Sequence, residues 1–168
     1  MENPSPSTKP LVSIIIPCYN EETTIGSLLD AIFRQSYPQD RLEVVVADAL
    51  STDATRQVIS AFQKSHPGLT ITLVDNPKRI IPAGLNAAIR ASKGELITRL
   101  DAHSLPAMDY VELSVKNLVE GKGQNVGGVI EIRPASERWI SRSIAVATSH
   151  PLGVGDARYR WTKTAGPA

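Results

Sequence analysis

Cysteine is almost absent: the 168 residues contain one, Cys18. A lone thiol supports neither an internal disulfide framework nor a zinc site built from cysteines alone. An excess of one charge is missing too, since 18 Lys+Arg against 17 Asp+Glu leave a net charge of +1. Without a broad basic field, binding to nucleic acid by phosphate neutralisation is not expected. No apolar run approaches the roughly 20 residues that span a bilayer, and the opening Met-Glu-Asn-Pro has neither the basic start nor the apolar segment of a secretion signal. A soluble, cytoplasmic chain is the expectation. What is present is 42% hydrophobic residues on a length suited to about one domain, enough to bury about 70% of the unfolded surface.

Residues 1–10 are rich in Pro and Ser without apolar periodicity and read as a disordered tail. From Leu11 short β-branched runs alternate with amphipathic stretches, the pattern of βαβ units and a mainly parallel sheet with helices on both faces. Strands are predicted at 11–16, 42–47, 69–74, 95–100 and, last, Val126–Ile132. Between them, Ile25, Leu28, Leu29, Ile32 and Phe33 mark one helix face, with Asn20 as its N-cap and Glu21 and Glu22 in its first turn. Further helices carry Val58, Ile59 and Phe62; Leu85, Ala88 and Ile89; and Val111, Val115, Leu118 and Val119, the last ended by Gly121-Lys122-Gly123. A helix is expected over Trp139–Ala147, and a loop from Ser149 onward.

Ligands of open α/β sheets bind beyond the C-terminal ends of the strands. The residues there are Pro17-Cys18-Tyr19-Asn20-Glu21, Asp48-Ala49-Leu50-Ser51-Thr52-Asp53, Asp75-Asn76-Pro77-Lys78 and Asp101-Ala102-His103. Three of the four carry Asp, which by itself is a common turn former or helix cap. Converging on one sheet edge, the acids point to a polar ligand or a metal. The first strand does not run into G-x-G-x-x-G, and no G-x-x-x-x-G-K-[ST] exists, so dinucleotide and P-loop enzymes are excluded. A phosphoacceptor domain would need acids directly after strand one, where only Glu21 and Glu22 stand, at the helix start.

Taken in order, Ser13-Ile-Ile-Ile-Pro-Cys-Tyr-Asn-Glu21, Asp48 with Ser51-Thr52-Asp53, the Gly84–Ile89 helix, Lys93-Gly94-Glu95 and Asp101-Ala102-His103 resemble the family-two inverting glycosyltransferases, with their Rossmann-like A-type fold. Asn76-Pro77-Lys78-Arg79 and Arg99-Leu100-Asp101-Ala102-His103 are most similar to the succinoglycan-type exopolysaccharide enzymes. The resemblance implies a donor-binding domain over 11–134 and the start of an acceptor-side region over 135–168. It implies transfer of a hexose from a nucleotide-diphospho-sugar, UDP-linked by expectation, to a glycan or lipid-linked acceptor. It also implies peripheral association of the full-length protein with the inner face of the cell membrane. By the same resemblance Pro17, Tyr19 and Glu21 line the base and ribose, Asp48 accepts a hydrogen bond from the base, and Lys78 faces base or diphosphate. Asp101 holds the ribose or a metal-bound water, and His103 contacts the metal. Expelling a diphosphate requires cations to take up developing charge, and imidazole suits Mn²⁺ better than Mg²⁺.

Each role has a plainer counterpart. Tyr19 could be a core-edge aromatic, Lys78 and Arg79 a solvated turn pair, and His103 a loop histidine. Asp53 reads as a helix cap and His66 as a turn residue. Cys18, between strand and helix, reads as a small packing residue ahead of a nucleophile. In the final segment Arg158 and Arg160 read as surface residues, with His150 and Asp156 nearby. None of Asp109, Glu112, Glu120, Glu131, Glu137 or Asp156 sits in a motif for the general base that inverting transfer needs. The base is expected beyond Ala168, making this chain the donor-binding portion of a truncated enzyme. A non-catalytic nucleotide-sugar-binding fragment is the rival reading.

Overall fold

The computed structural model describes residues 9–134 and 136–154. In chain order these form β1 (Val12–Cys18), α1 (Ile25–Phe33), a single 3-10 turn, β2 (Leu42–Asp48), α2 (Thr55–Ser65), β3 (Thr70–Asp75), α3 (Ile81–Ala91), β4 (Leu96–Arg99), α4 (Tyr110–Val119), α5 (Trp139–Ser149) and α6 (Pro151–Val154). The chain divides into two compact units with the boundary between Lys116 and Asn117. Among the described residues no helix is long and apolar enough to cross a membrane.

The first unit is built on a four-stranded sheet of order β3-β2-β1-β4, parallel throughout. Side chains alternate across a strand. Val12, Ile14, Ile16 and Cys18 therefore enter one cluster with Ile25, Leu28, Leu29 and Ile32 of α1, Ile59 of α2 and Val111 and Val115 of α4. Ile15, Val45 and Ala47 point the other way, onto Ala88 of α3. Helices thus cover both faces, which is why β1 and β2 are almost continuously apolar. Of the five α1 residues that the 3.6-residue spacing singled out, Ile25, Leu28, Leu29 and Ile32 are fully buried and Phe33 partly so, and each fully buried one stabilises the fold by about 1.5–3 kcal/mol relative to exposure.

A polar knot locks the N-terminal end of the sheet. Glu43 of β2 is buried among apolar residues, and its Oε1 accepts hydrogen bonds from the Ser13 hydroxyl, the Lys93 N–H and, at 3.2 Å, the Gly94 N–H. Gly94 N–H also donates to Ser13 Oγ at 2.8 Å. A buried carboxylate is tolerated only when so satisfied. The α3–β4 connection thereby presses against β1: a Cβ on Gly94 would lie 2.5 Å from both Ser13 N and Ser13 Oγ and 2.9 Å from Leu11 O.

Four sequence expectations are corrected. Asn20 is not the N-cap of α1: it takes a left-handed φ of 53°, and α1 begins after a turn in which the Thr24 and Ile25 N–H groups donate to Glu21 O. Its side chain is drawn away to a loop 32 residues distant. Val126–Ile132 forms no strand. Its own unit holds no other strand among the described residues, so the β-branched run has no ladder partner, and Val129 and Ile130 are exposed. Beyond Ser149 a helical turn, α6, replaces the expected loop start; Asp156, Arg158 and Arg160 lie outside the described residues, as does most of the expected tail. Glu21 and Glu22 also fall ahead of α1, in whose first turn no acid stands. Gly121 closes α4 with φ 69°, its N–H donating to Leu118 O and that of Lys122 to Asn117 O, a Schellman arrangement. His66 ends α2, its ring stacked on Phe62 at 4.1 Å.

Substituting Gly94→Ala forces backbone to move at β1 and is expected to cost about 1–3 kcal/mol. Gly68→Ala, where an added methyl meets nothing within 4 Å, should leave stability nearly unchanged. Urea denaturation of both proteins checks the contrast, and equal midpoints would contradict the packing described for Gly94.

Candidate functional site

The strand order reverses between β1 and β4, since β1 leads outward to β2 and β3 on one side and to β4 on the other. Such a reversal leaves a crevice at the C-terminal strand ends. Three loops meet at this edge, and the first two are stitched together. Thr52 N–H donates to Asn20 Oδ1 at 2.8 Å, and Asn20 N–H returns a bond to Ser51 Oγ at 2.9 Å. Glu21 N–H donates to Thr55 Oγ1, while Ala54 N–H donates to Glu22 Oε2 and Glu22 N–H to Asp53 Oδ2. Asp53 also accepts from Thr55 N–H at 3.0 Å, and so serves the start of α2 as the sequence suggested. The donors left over ahead of the two helices are thus paired partly within each loop and partly across the two.

The third loop, after β4, is positioned from below. Buried Gln35 donates to Ala107 O at 2.8 Å and accepts from Val111 N–H at 3.0 Å, and Ala102 packs into the main core cluster. With Ala102 inward, Asp101 and His103 flank it, Asp101 half-exposed and His103 exposed. Asp101 Oδ1 pairs with Arg99 at 2.9 Å. His103 Nδ1 lies 3.4 Å from Glu21 Oε1, which joins the loops of β1 and β4 across the crevice. Glu21 also accepts the Thr24 hydroxyl. Tyr19 stands at the same edge with 48% of its surface exposed, so it is no core aromatic, and Pro17 is half-buried beside it.

Asp48, at the end of β2, is completely buried. Ser51 N–H donates to its Oδ2 at 3.0 Å, the Ser51 hydroxyl to its Oδ1, and Arg56 Nε to its Oδ2 at 2.6 Å. Folding Ser51 back onto Asp48 places Leu50 at φ 59°, a left-handed conformation that costs a side-chain-bearing residue roughly 1–2 kcal/mol. Arg56 continues to Asp75 at the end of β3, and the pairing holds its guanidinium cationic, the Asp75 bond contributing most and the Asp48 bond next. Lys78 and Arg79 lie exposed in the following turn. Arg56 escaped the sequence reading, although a cation in the first turn of a helix opposes the dipole and was the available signal.

Cys18 is buried beneath this edge, and its thiol is pushed up to about 12 by burial and then by the carboxylates of Asp48, Glu21 and Asp53. A raised pKa means less thiolate at any given pH, so Cys18 packs and does not attack. At pH 8 its thiolate fraction is about 10³-fold below that of an ordinary thiol. Iodoacetamide should alkylate the native chain correspondingly slowly and the urea-unfolded chain at the normal rate; fast native labelling would contradict the burial.

Residues 13–166 match the family model described as glycosyl transferase family 2. The dolichyl N-acetyl-alpha-D-glucosaminyl phosphate 3-beta-D-2,3-diacetamido-2,3-dideoxy-beta-D-glucuronosyltransferase of Methanococcus voltae is 32% identical over 87% of this chain and 46% of its own length. The succinoglycan biosynthesis protein ExoA of Rhizobium meliloti is 30% identical over 88% of this chain and 44% of its own. Among solved structures, a mannosyltransferase of Pyrobaculum calidifontis in complex with GDP-Man and Mn²⁺ is 36% identical, with a TM-score of 0.67 over 88% of this chain and 42% of that one. The chain therefore spans less than half the length of these relatives. With the family model matching most of the chain and the relatives agreeing, the chain belongs to glycosyl transferase family 2.

Proposed function

We propose that this chain carries the donor site of an inverting hexosyltransferase of exopolysaccharide or cell-envelope glycan synthesis. The donor is a nucleoside-diphospho-sugar and the acceptor a glycan or a lipid-linked glycan. Supporting this reading is the meeting of β1 and β4 residues at the strand-order reversal, where Glu21 and His103 approach to 3.4 Å. The half-exposed Tyr19 ring offers a face for the base, Pro17 and Glu21 line the ribose side, and Lys78 faces the base or diphosphate. UDP is the expected nucleotide, and the GDP-Man held by the mannosyltransferase relative makes GDP the competitor. The general base that takes the acceptor proton is assigned to the greater length of the relatives, which this chain does not span. Full-length protein is assigned to the inner membrane face, where a lipid-linked acceptor would lie.

The residues present fit a divalent cation. Among the described residues no group of three or more His, Cys, Asp or Glu is arranged to hold a metal. Such ions in phosphoryl chemistry are nevertheless often held by one or two protein groups, with substrate phosphates and water completing the shell. Arg99 engages Oδ1 of Asp101, leaving Oδ2. Glu21 faces Nδ1 of His103, so Nε2 is the ring nitrogen that would serve as a donor atom. Asp101 and His103 would therefore hold the ion through one oxygen and one nitrogen, a set that favours Mn²⁺ over Mg²⁺. When bound, it would take up charge on the departing diphosphate. The protein's own part is to orient the ribose through Asp101 and Glu21 and to hold the His103 ring against Glu21.

Calorimetric titration of UDP and GDP, with and without Mn²⁺, tests this reading. Mn²⁺ should be required, Mg²⁺ should substitute less well, and Asp101→Asn and His103→Ala should each weaken metal-dependent binding by about 10–100-fold. Binding that ignores the metal, or is untouched by Asp101→Asn, would overturn the metal assignment. Absence of any nucleotide binding by the folded protein would overturn the donor site.

A further inference from the structure

Arg56 stands where local rules disfavour it. It is the second residue of α2, where the helix N-terminus repels a cation. The two carboxylates it joins are register partners on adjacent parallel strands, Asp48 on β2 opposite Asp75 on β3. Like charges so placed repel, and one of them, Asp48, is shut off from water. A single guanidinium resolves all three conflicts. Its Nε lies 2.6 Å from Asp48 Oδ2 and one terminal nitrogen bonds Asp75 Oδ1.

The same clamp prepares a recognition edge. Asp48, shut off from water, holds three protein donors and anchors the clamp from within. Asp75 is 64% exposed at its side chain and uses one oxygen on Arg56. The Arg56 side chain is about one-third exposed, and its guanidinium keeps further N–H groups uncommitted to the two acids. Asn76, immediately after Asp75, is tied by its N–H to Asp48 O at 2.8 Å and by its side chain to Ile80 O at 3.0 Å, so the turn carrying Lys78 and Arg79 is anchored to the end of β2. Acceptors and donors are therefore presented side by side, rigidly, at the strand ends. Uracil and guanine differ in the pattern of donors and acceptors on their polar edges, and a rigid polar site rejects the wrong pattern because its own groups are left unpaired.

Resting on the donor-site reading above, we infer that Arg56 is a positioning residue for nucleobase discrimination: by bridging Asp48 and Asp75 it holds the polar edge that distinguishes one nucleoside diphosphate from another. A structural role alone would lower affinity for every nucleotide alike, since UDP and GDP share the ribose and diphosphate. The discriminating quantity is accordingly the ratio of their dissociation constants.

The experiment titrates UDP and GDP, each with Mn²⁺, into the wild-type chain and into Arg56→Met, Arg56→Lys and Asp75→Asn, with circular dichroism melts alongside. The wild type should prefer one nucleotide by about tenfold or more. In Arg56→Met the ratio should collapse toward one. Arg56→Lys keeps the charge but not the two-pronged reach, and should recover part of the ratio; Asp75→Asn should reduce it. An unchanged ratio in Arg56→Met, even with a lowered melting temperature, would overturn the inference, as would a wild type that binds both nucleotides equally. If Arg56→Met fails to fold, Arg56→Lys and Asp75→Asn decide by the same ratio, and its preservation in both overturns the inference. A wild type that binds neither nucleotide overturns the donor-site reading itself, a result distinct from any change in ratio.

Discussion

A carboxylate that is removed from water must be given donors, and in this protein that requirement organises the end of the sheet where ligand is expected. Asp48 receives Ser51 twice and Arg56 once, and each donor drags structure with it. Ser51 brings the β2–α2 loop back over the strand and forces Leu50 into a left-handed conformation. Arg56 brings the first turn of α2 and, through Asp75, the end of β3. The stitched loop after β1 then follows, because its partners Ser51 and Thr52 are already placed. Satisfying one buried charge in low dielectric thus costs backbone strain and an adverse helix–cation contact, both offset by charge-assisted hydrogen bonds.

Strand β2 carries a second buried acid at its other end, Glu43, with a different consequence. Its donors are the Ser13 hydroxyl and the backbone of Lys93 and Gly94, so it fixes how β4 enters the sheet beside β1. The two acids act on opposite ends of one rigid element. Glu43 sets where β4 begins, and four residues of parallel register later the chain delivers Asp101 and His103 to the edge governed by Asp48. Buried polar groups therefore do the positioning, while the apolar clusters on the two faces supply most of the stability.

Much of this was legible in the amino-acid order because it depends on periodicity. The four strands and the helices α1 to α5 fall within a few residues of where alternation and 3.6-residue spacing place them. Candidate site residues were legible because the topology of a parallel sheet puts strand ends on one edge. What was not legible was non-local pairing. Asn20 is a good helix cap by type, yet its oxygen accepts from Thr52, and no window around residue 20 contains that partner. The run at 126–132 has strand-forming residues, but strand formation is decided by a neighbour to pair with. Arg56 takes its role from Asp48 and Asp75, which only the folded sheet brings to either side of it.

Sequence alone determined the hydrophobic pattern, hence the parallel α/β sheet with helices on both faces, the family, and the identity of the groups available at the strand ends. Tertiary structure decided what those groups do: Asp48 buried and fully engaged, Cys18 held as a thiol, Tyr19 open, and Glu21 and His103 facing one another. Burial patterns follow from each segment's own periodicity, whereas hydrogen bonds and charge states depend on groups that only folding places within a few ångströms.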